Sequence, residues 1–241
     1  MSKENFLLET RGLTKRFGGV IAVNDVNFTL EPGELRCLIG PNGAGKSTFF
    51  KCLTHQHKPS LGKIFFKDRD ITKLHTHQIA HLGIGIKTQV PSVFDGIPVR
   101  ENIWLAARRY HGRRNANKVT SDVIERVGLG DIRESMVGRL AHGERQWVEI
   151  GMVLTSDPTL LLLDEPTAGM THEETEQTAR LINEISESAS LIVVEHDMQF
   201  IKAIANQVTV FHQGEILVED KVESVMANPL VRDIYLGKEK D

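Results

Sequence analysis

The chain has 241 residues, 40% of them hydrophobic, and its 29 Lys and Arg against 32 Asp and Glu give a formal net charge of −3. This length and composition suit one globular unit with a sizeable core and exclude a disordered, collagen-like or coiled-coil chain. The mild acidity argues against a protein that binds nucleic acid through bulk positive charge. The longest apolar runs are strand-sized, well short of the roughly 18 residues of a membrane-spanning helix.

Short apolar runs bounded by glycine and proline predict strands, and apolar residues recurring three or four positions apart predict helices. In chain order, the predicted strands are 20–30, 35–39, 63–66, 160–163, 191–194 and 208–211. The predicted helices are 48–53, 99–110, 117–127, 142–154, 173–187 and 198–205. Because strands alternate with helices over most of the chain, we expect an α/β fold with a mostly parallel, buried core sheet.

Two stretches depart from this alternation. Before residue 30, strands follow one another without helices, which predicts an antiparallel β subdomain at the N-terminus. The block from about 98 to 154 is almost purely helical and predicts an inserted α-helical subdomain. We therefore expect one domain over 1–241, with an α/β core at about 1–88 and 157–241 and a helical subdomain at about 89–156. Cys37 and Cys52 are expected to be reduced and buried.

A glycine-rich motif follows the predicted strand 35–39 and precedes a predicted helix. It matches the pattern G-x-x-x-x-G-K-S, and we call it the phosphate loop: Gly40, Pro41, Asn42, Gly43, Ala44, Gly45, Lys46 and Ser47. Polyphosphate binding needs inward-pointing backbone N–H groups, a cation at the β and γ phosphates and a hydroxyl on Mg²⁺. The glycines, Lys46 and Ser47 supply these groups, and the helix N-terminus adds its positive end.

Two carboxylates follow the four leucines at 160–163. Asp164 and Glu165 stand at the carboxyl end of this predicted buried strand, where such sheets bind ligands. Asp164 is predicted to hold Mg²⁺, and Glu165 is predicted to polarise the water that attacks the γ-phosphate.

Four further features give the chain a resemblance to a known family. The peptide Leu140-Ala141-His142-Gly143-Glu144 lies between the phosphate loop and the acidic pair, and His196 follows another apolar strand. Together with Gln89 and the aromatic Phe17, these motifs resemble those of ABC-type ATPases, in the same order. The family has L-S-G-G-Q at 140–144, which we call the signature peptide, and Gln89 stands at its Q-loop.

The resemblance implies a P-loop ABC cassette that uses ATP and Mg²⁺. Phe17 would stack on adenine, and Thr48 would join the phosphate loop in binding ATP. Catalytic roles fall to Lys46, Gln89, Glu165 and His196, with His196 sensing the γ-phosphate, and metal-binding roles fall to Ser47, Gln89 and Asp164. The signature peptide would act on ATP held by a second ATP-binding subunit, in a homodimer or heterodimer.

Three of the departures of this chain from the family pattern bear on ATP hydrolysis or on communication between the sites. Ala141 replaces the common Ser and removes a hydroxyl that could bond the γ-phosphate, so we expect slower hydrolysis. Glu144 replaces Gln and puts an acid close to triphosphate unless its carboxylate points away. Thr171 stands where many relatives have Asp in the loop that touches the opposite site.

Longer strings resemble import-type subunits of the branched-chain amino acid and urea group. The run 147–152 and the loop at 170–171 look most like the urea-transporter subunit, so urea import is the main prediction and branched-chain amino acid import the alternative. The implied partners are two membrane permeases and, through them, a periplasmic or extracellular solute-binding protein; no nucleic acid is expected. The implied location is peripheral, on the cytoplasmic face of the inner membrane. Val93, Phe94 and Ile97 are candidates for permease contact.

Two other classes of protein remain as alternatives. A phosphate loop also serves kinases, but these lack a signature peptide and have no need of Glu165 beside Asp164. A non-transport ABC ATPase acting on DNA or ribosomes commonly carries a coiled-coil insertion or two cassettes, whereas this chain has one cassette of minimal size.

Overall fold

The computed structural model describes residues 6–90 and 92–236. In chain order the strands are β1 (Leu8–Phe17), β2 (Val20–Leu30), β3 (Leu35–Ile39), β4 (Leu61–Phe66), β5 (Arg69–Asp70), β6 (Ile84–Lys87), β7 (Leu160–Asp164), β8 (Ser190–Val194), β9 (Gln207–His212) and β10 (Glu215–Lys221). The helices are α1 (Lys46–Leu53), α2 (Thr76–Ala80), α3 (Val99–Tyr110), α4 (Arg113–Arg126), α5 (His142–Leu154), α6 (His172–Ser186), α7 (Met198–Ile204), α8 (Val222–Ala227) and α9 (Pro229–Leu236).

A six-stranded sheet forms the centre of the fold, in the order β10-β9-β3-β8-β7-β6. All neighbouring pairs from β9 to β6 are parallel, and β10 joins the edge as an antiparallel hairpin partner of β9. Every residue of β7 and β8 is buried, as expected for strands covered on both faces. The predicted mostly parallel α/β core is confirmed.

A second sheet, in the order β2-β1-β4-β5, is antiparallel and confirms the predicted N-terminal β subdomain. Its strand β1 was absent from the predicted elements. The pairing of β1 with β2 shifts register between Thr10 and Leu13, where Gly12 adopts a positive φ of 61°. Such an irregularity breaks the period-2 alternation by which a strand is recognised.

Helices α3, α4 and α5 lie between β6 and β7 in the chain, as the predicted helical block requires. One hydrophobic cluster joins them to one face of the core sheet, including Ile103 of α3, Ile150 of α5 and Leu161 of β7. A second cluster lies on the opposite face, between the sheet, α1 and the antiparallel sheet. The boundaries of the helical subdomain at about 89 and 156 stay a prediction.

The other differences from the predicted elements are local. Helix α4 begins at Arg113, four residues before the predicted start, in a polar stretch that gives no apolar signal. Strands β5, β6 and β10 and helices α8 and α9 were not predicted. Cys37 and Cys52 are free and buried, as predicted. Within the described residues, no helix is long and apolar enough to cross a membrane.

Candidate functional site

The phosphate loop turns between the end of β3 and the start of α1, and its glycines are needed for close backbone packing. A Cβ atom on Gly40 would lie 2.3 Å from the carbonyl oxygen of Phe211, and one on Gly45 would lie 2.5 Å from that of Ala22. Both glycines also have positive φ, at 147° and 105°. The loop is therefore held between β9 and β2 in a path that a side chain would block.

Lys46, the first residue of α1, folds its ammonium group back over the phosphate loop. Its Nζ atom donates to the carbonyl oxygens of Gly40 at 2.5 Å and Pro41 at 3.1 Å. Burial lowers the pKa of Lys46, and the nearby charges of Glu165 and Asp164 act in the opposite direction. A cation is thus fixed at the mouth of a loop of backbone donors, where a polyphosphate would supply the opposite charge.

The acidic pair lies at the carboxyl end of β7. Asp164 is 6% exposed, and burial together with the charge of Glu165 raises its pKa. Glu165 has a positive φ of 46° and donates its backbone N–H to Val194 of β8. The chain therefore turns sharply between the two residues, so that Asp164 stays in the sheet and Glu165 leaves it.

Gln89 lies beside Glu165, although 76 positions separate them in the chain. The amide Nε2 of Gln89 donates to Oε2 of Glu165 at 2.7 Å. The wholly buried Lys87, at the end of β6, directs its Nζ toward the carbonyl oxygens of Asp164 and Glu165, both at 3.4 Å. Because β6 and β7 are parallel neighbours, their carboxyl ends bring the two loops together.

His196 extends from the end of β8 into solvent, with 66% of its side chain exposed. The preceding Glu195 is buried and was missed as a functional residue. Its Oε1 accepts from the backbone N–H and the hydroxyl of Thr167, at 3.0 and 2.6 Å, and its Oε2 accepts from the backbone N–H of His196 at 3.0 Å. One carboxylate thus fixes both the loop after Glu165 and the backbone of His196. An acidic residue ending an apolar strand was the available signal.

The last three residues of the signature peptide form the start of α5, which begins at His142. The carboxylate of Glu144 accepts from the backbone N–H of Ala141 at 2.9 Å and so folds back onto its own helix. A Cβ on Gly143 would lie 2.5 Å from Oε1 of Glu174, so a side chain at this position would require the Glu174 side chain to move. Across the described residues, no hydrogen bond joins the signature peptide to the phosphate loop.

Thr171 and Phe17 complete the predicted set. Thr171 is the N-cap of α6: its hydroxyl oxygen accepts from the N–H of Glu174, whose Oε2 in turn accepts from the N–H of Thr171. Phe17 ends β1 and is 43% exposed, with the ring of His57 at 5.1 Å and Nζ of Lys15 at 4.8 Å from its centre. The ring is thus available to stack on a flat ligand.

Comparison with known protein families identifies the chain. The family model described as ABC transporter matches residues 23–168, which include the phosphate loop, the signature peptide and the acidic pair. The chain belongs to the ABC transporter family. It is an ABC ATPase, in which ATP hydrolysis is coupled to transport by a complex with membrane permeases.

Relatives of this ABC ATPase extend over nearly the whole chain. It is 34% identical to the high-affinity branched-chain amino acid transport ATP-binding protein LivG of Escherichia coli, over 96% of this chain and 98% of that protein. It is 33% identical, with the same coverage, to the corresponding protein BraF of Pseudomonas aeruginosa. These names give no support to the prediction of urea and favour the alternative solute.

Solved structures share the fold. The ADP conformation of an ATP-binding cassette of an ABC transporter superposes with a TM-score of 0.87 at 25% identity, covering 97% of this chain and 99% of that one. The protein cbiO1 from Clostridium perfringens, part of the transporter complex cbiONQ, gives a TM-score of 0.85 at 25% identity, covering 98% and 96%. The predicted ABC cassette fold is confirmed.

Proposed function

We propose that this ABC ATPase energises import by a transporter of the branched-chain amino acid type. The observation that carries the mechanism is the hydrogen bond between Gln89 and Glu165, beside the buried Asp164 and the phosphate loop. Hydrolysis needs a phosphate cradle, a cation, oxygen ligands for a metal and a group that positions water. All four lie at the carboxyl ends of β3, β6 and β7.

In the proposed mechanism, the phosphate-loop N–H groups and Lys46 bind the β and γ phosphates, and Thr48 joins them. Phe17 stacks on the adenine ring. Glu165 orients the attacking water and receives its proton, while Gln89 holds the carboxylate in place. His196 contacts the γ-phosphate from β8, on a backbone that Glu195 fixes. Water exclusion on closure would strengthen these polar contacts.

The chain offers oxygen donors that suit Mg²⁺. The hydroxyl of Ser47, the side-chain oxygen of Gln89 and the carboxylate of Asp164 are hard ligands of the kind this ion takes. The raised pKa of the buried Asp164 indicates a carboxylate that would gain from a nearby positive ion. When bound, Mg²⁺ would neutralise charge on the phosphate oxygens.

The signature peptide is proposed to serve ATP on a second ATP-binding subunit, either an identical or a sister chain. The N-terminus of α5 presents backbone N–H groups that suit an anion. Glu144 accepts from the N–H of Ala141, so one oxygen of its carboxylate is engaged within its own helix. Thr171 is proposed to contribute to communication between the two sites.

A groove between the core and the helical block is the proposed permease contact. It has a volume of about 460 Å³, and its lining includes Ile86, Phe94, Leu105 and Met152. Phe94 is 58% exposed and Leu105, which also lines the groove, is 42% exposed, so the groove presents apolar surface that a partner could cover. Of the other candidates, Val93 packs against the core cluster beneath α3 to α5, and the side chain of Ile97 is partly buried.

This contact would place the chain on the cytoplasmic face of the inner membrane, below two permeases that meet a solute-binding protein on the other side. The solute is tested by measuring uptake of labelled leucine and labelled urea in cells carrying Lys46→Ala or the wild-type chain. Loss of leucine uptake alone supports the proposal. Loss of urea uptake alone would assign the chain to a urea importer with the same ATPase mechanism. If both uptakes are unchanged, neither leucine nor urea is the solute.

A further inference from the structure

A buried carboxylate lies midway along α5, in a helix whose buried side is otherwise mostly apolar. Glu149 is 5% exposed, and its Oε1 atom accepts a hydrogen bond from the backbone N–H of Ser92 at 3.0 Å. Its other oxygen, Oε2, is buried and has no hydrogen-bond partner among the residues that the structure describes. A half-satisfied buried carboxylate costs stability, so an apolar residue would serve packing alone better.

The hydrogen-bond partner of Glu149 belongs to the loop that carries Gln89. Ser92 stands three residues after Gln89, and Lys87 stands two residues before it. Lys87 ties the start of this loop to the carbonyl oxygens at the end of β7, and Glu149 ties its later part to α5. Gln89 therefore lies between two fixed points, which limits the positions that its amide can take.

Helix α5 also carries the signature peptide. It begins at His142, and Glu149 lies seven residues on, about 10 Å along the helix axis. If the N-terminus of α5 moves and the helix stays rigid, Glu149 moves with it, and Glu149 is hydrogen-bonded to Ser92. The helix thus connects the peptide that meets a partner's ATP with the loop that meets the chain's own ATP.

We propose that Glu149 is a positioning residue that couples the signature peptide to Gln89. It holds the loop at Ser92, so that Gln89 meets Glu165 only when α5 is in place. This inference rests on the proposed function of Gln89 and of the signature peptide. Glu149 itself touches neither nucleotide nor water in the reaction.

The first test compares Glu149→Ala with Glu149→Gln in the purified full-length chain. The alanine variant removes the acceptor, and we expect kcat for ATP hydrolysis to fall at least about tenfold, with the Kd for ATP within about twofold of wild type. The glutamine variant keeps a carbonyl oxygen for Ser92 and is expected to retain most of kcat. Thr120→Ala, a buried change in α4, is the control for lost stability and should leave kcat unchanged.

A second pair of variants tests the same hydrogen bond at its exposed residue, Ser92. Ser92→Pro removes the N–H donor, while Ser92→Ala removes the hydroxyl and keeps the donor. We expect the proline variant to lose kcat as Glu149→Ala does and the alanine variant to behave as wild type. Because Ser92 is exposed, this pair decides the question even where Glu149→Ala fails to fold.

A double-mutant cycle separates positioning from general damage. If Glu149 acts through Gln89, then Glu149→Ala costs little further kcat in a Gln89→Ala chain. Equal losses in both backgrounds would overturn the inference, as would a Glu149→Gln chain as impaired as Glu149→Ala. If Gln89→Ala hydrolyses ATP at the wild-type rate, the proposed function of the site fails. If Gln89→Ala lowers kcat while Glu149→Ala and Ser92→Pro do not, only the proposed coupling is refuted.

Discussion

Neutralising Glu149 is expected to remove a pH dependence from the stability of the fold. Burial raises the pKa of this carboxyl from 4.5 to about 7, against the opposing charge of Lys87 and the hydrogen bond from Ser92. The folded chain therefore holds this proton more tightly than the unfolded chain. The stabilisation is fully present below about pH 4.5 and is lost as the pH rises through about 7.

The size of this effect follows from the two pKa values. At roughly 1.4 kcal/mol per pKa unit, the raised pKa of Glu149 contributes about 3 kcal/mol to the free energy of unfolding at low pH. About 2.5 kcal/mol of this contribution is lost between pH 5 and pH 8. Glu149→Gln stays neutral throughout. Its free energy of unfolding, relative to wild type, should therefore rise by about 2.5 kcal/mol across that range.

Denaturant unfolding of both chains at pH 5, 6, 7 and 8 measures the difference directly. Glu31→Gln, a change at an exposed carboxyl beyond the end of β2, is the matched control and should show no such trend. A difference between Glu149→Gln and wild type that stays constant within about 0.5 kcal/mol from pH 5 to pH 8 would refute the reasoning.

Three further substitutions test the proposed site. Glu165→Gln should lower ATP hydrolysis at least about 100-fold while ATP still binds and shifts the chain to a dimer in size-exclusion chromatography; hydrolysis near the wild-type rate would contradict its role. Ala141→Ser should raise turnover severalfold, because it adds a donor toward the partner's γ-phosphate, and an unchanged or lower rate in a steady-state assay would count against this. Phe94→Asp should reduce leucine uptake at least about tenfold and leave hydrolysis by the isolated chain intact; normal uptake would remove the permease contact.

The sequence predicted the core well wherever periodicity was strong. Strands β2 and β3 and helices α3 and α5 begin and end where their apolar patterns do. Strand β6 was not predicted, because it has only four residues and one of them is Gly85. A Cβ at Gly85 would lie 2.6 Å from the side chain of Val153. A strand this short, in which close packing requires a glycine at one position, has almost no hydrophobic pattern to detect.

The residues of the site also differ in how well the sequence predicts them. The phosphate loop and the acidic pair could be predicted because local spacing and chemistry define them. Glu149 and Glu195 could not, since each acts by receiving N–H groups from loops distant in the chain. A single acidic residue in an apolar segment shows that something must satisfy it, but only the fold shows which backbone does.

Strand β7 separates two hydrophobic clusters, one on each face of the core sheet. Leu160 and Leu162 belong to the cluster beneath the antiparallel sheet, while Leu161 and Leu163 belong to the cluster beneath α3 to α5. Replacements on opposite faces should therefore act independently, whereas inserting one residue would exchange both interiors at once and rotate Asp164 to the wrong side. The strand should therefore tolerate single substitutions better than the insertion or deletion of a residue.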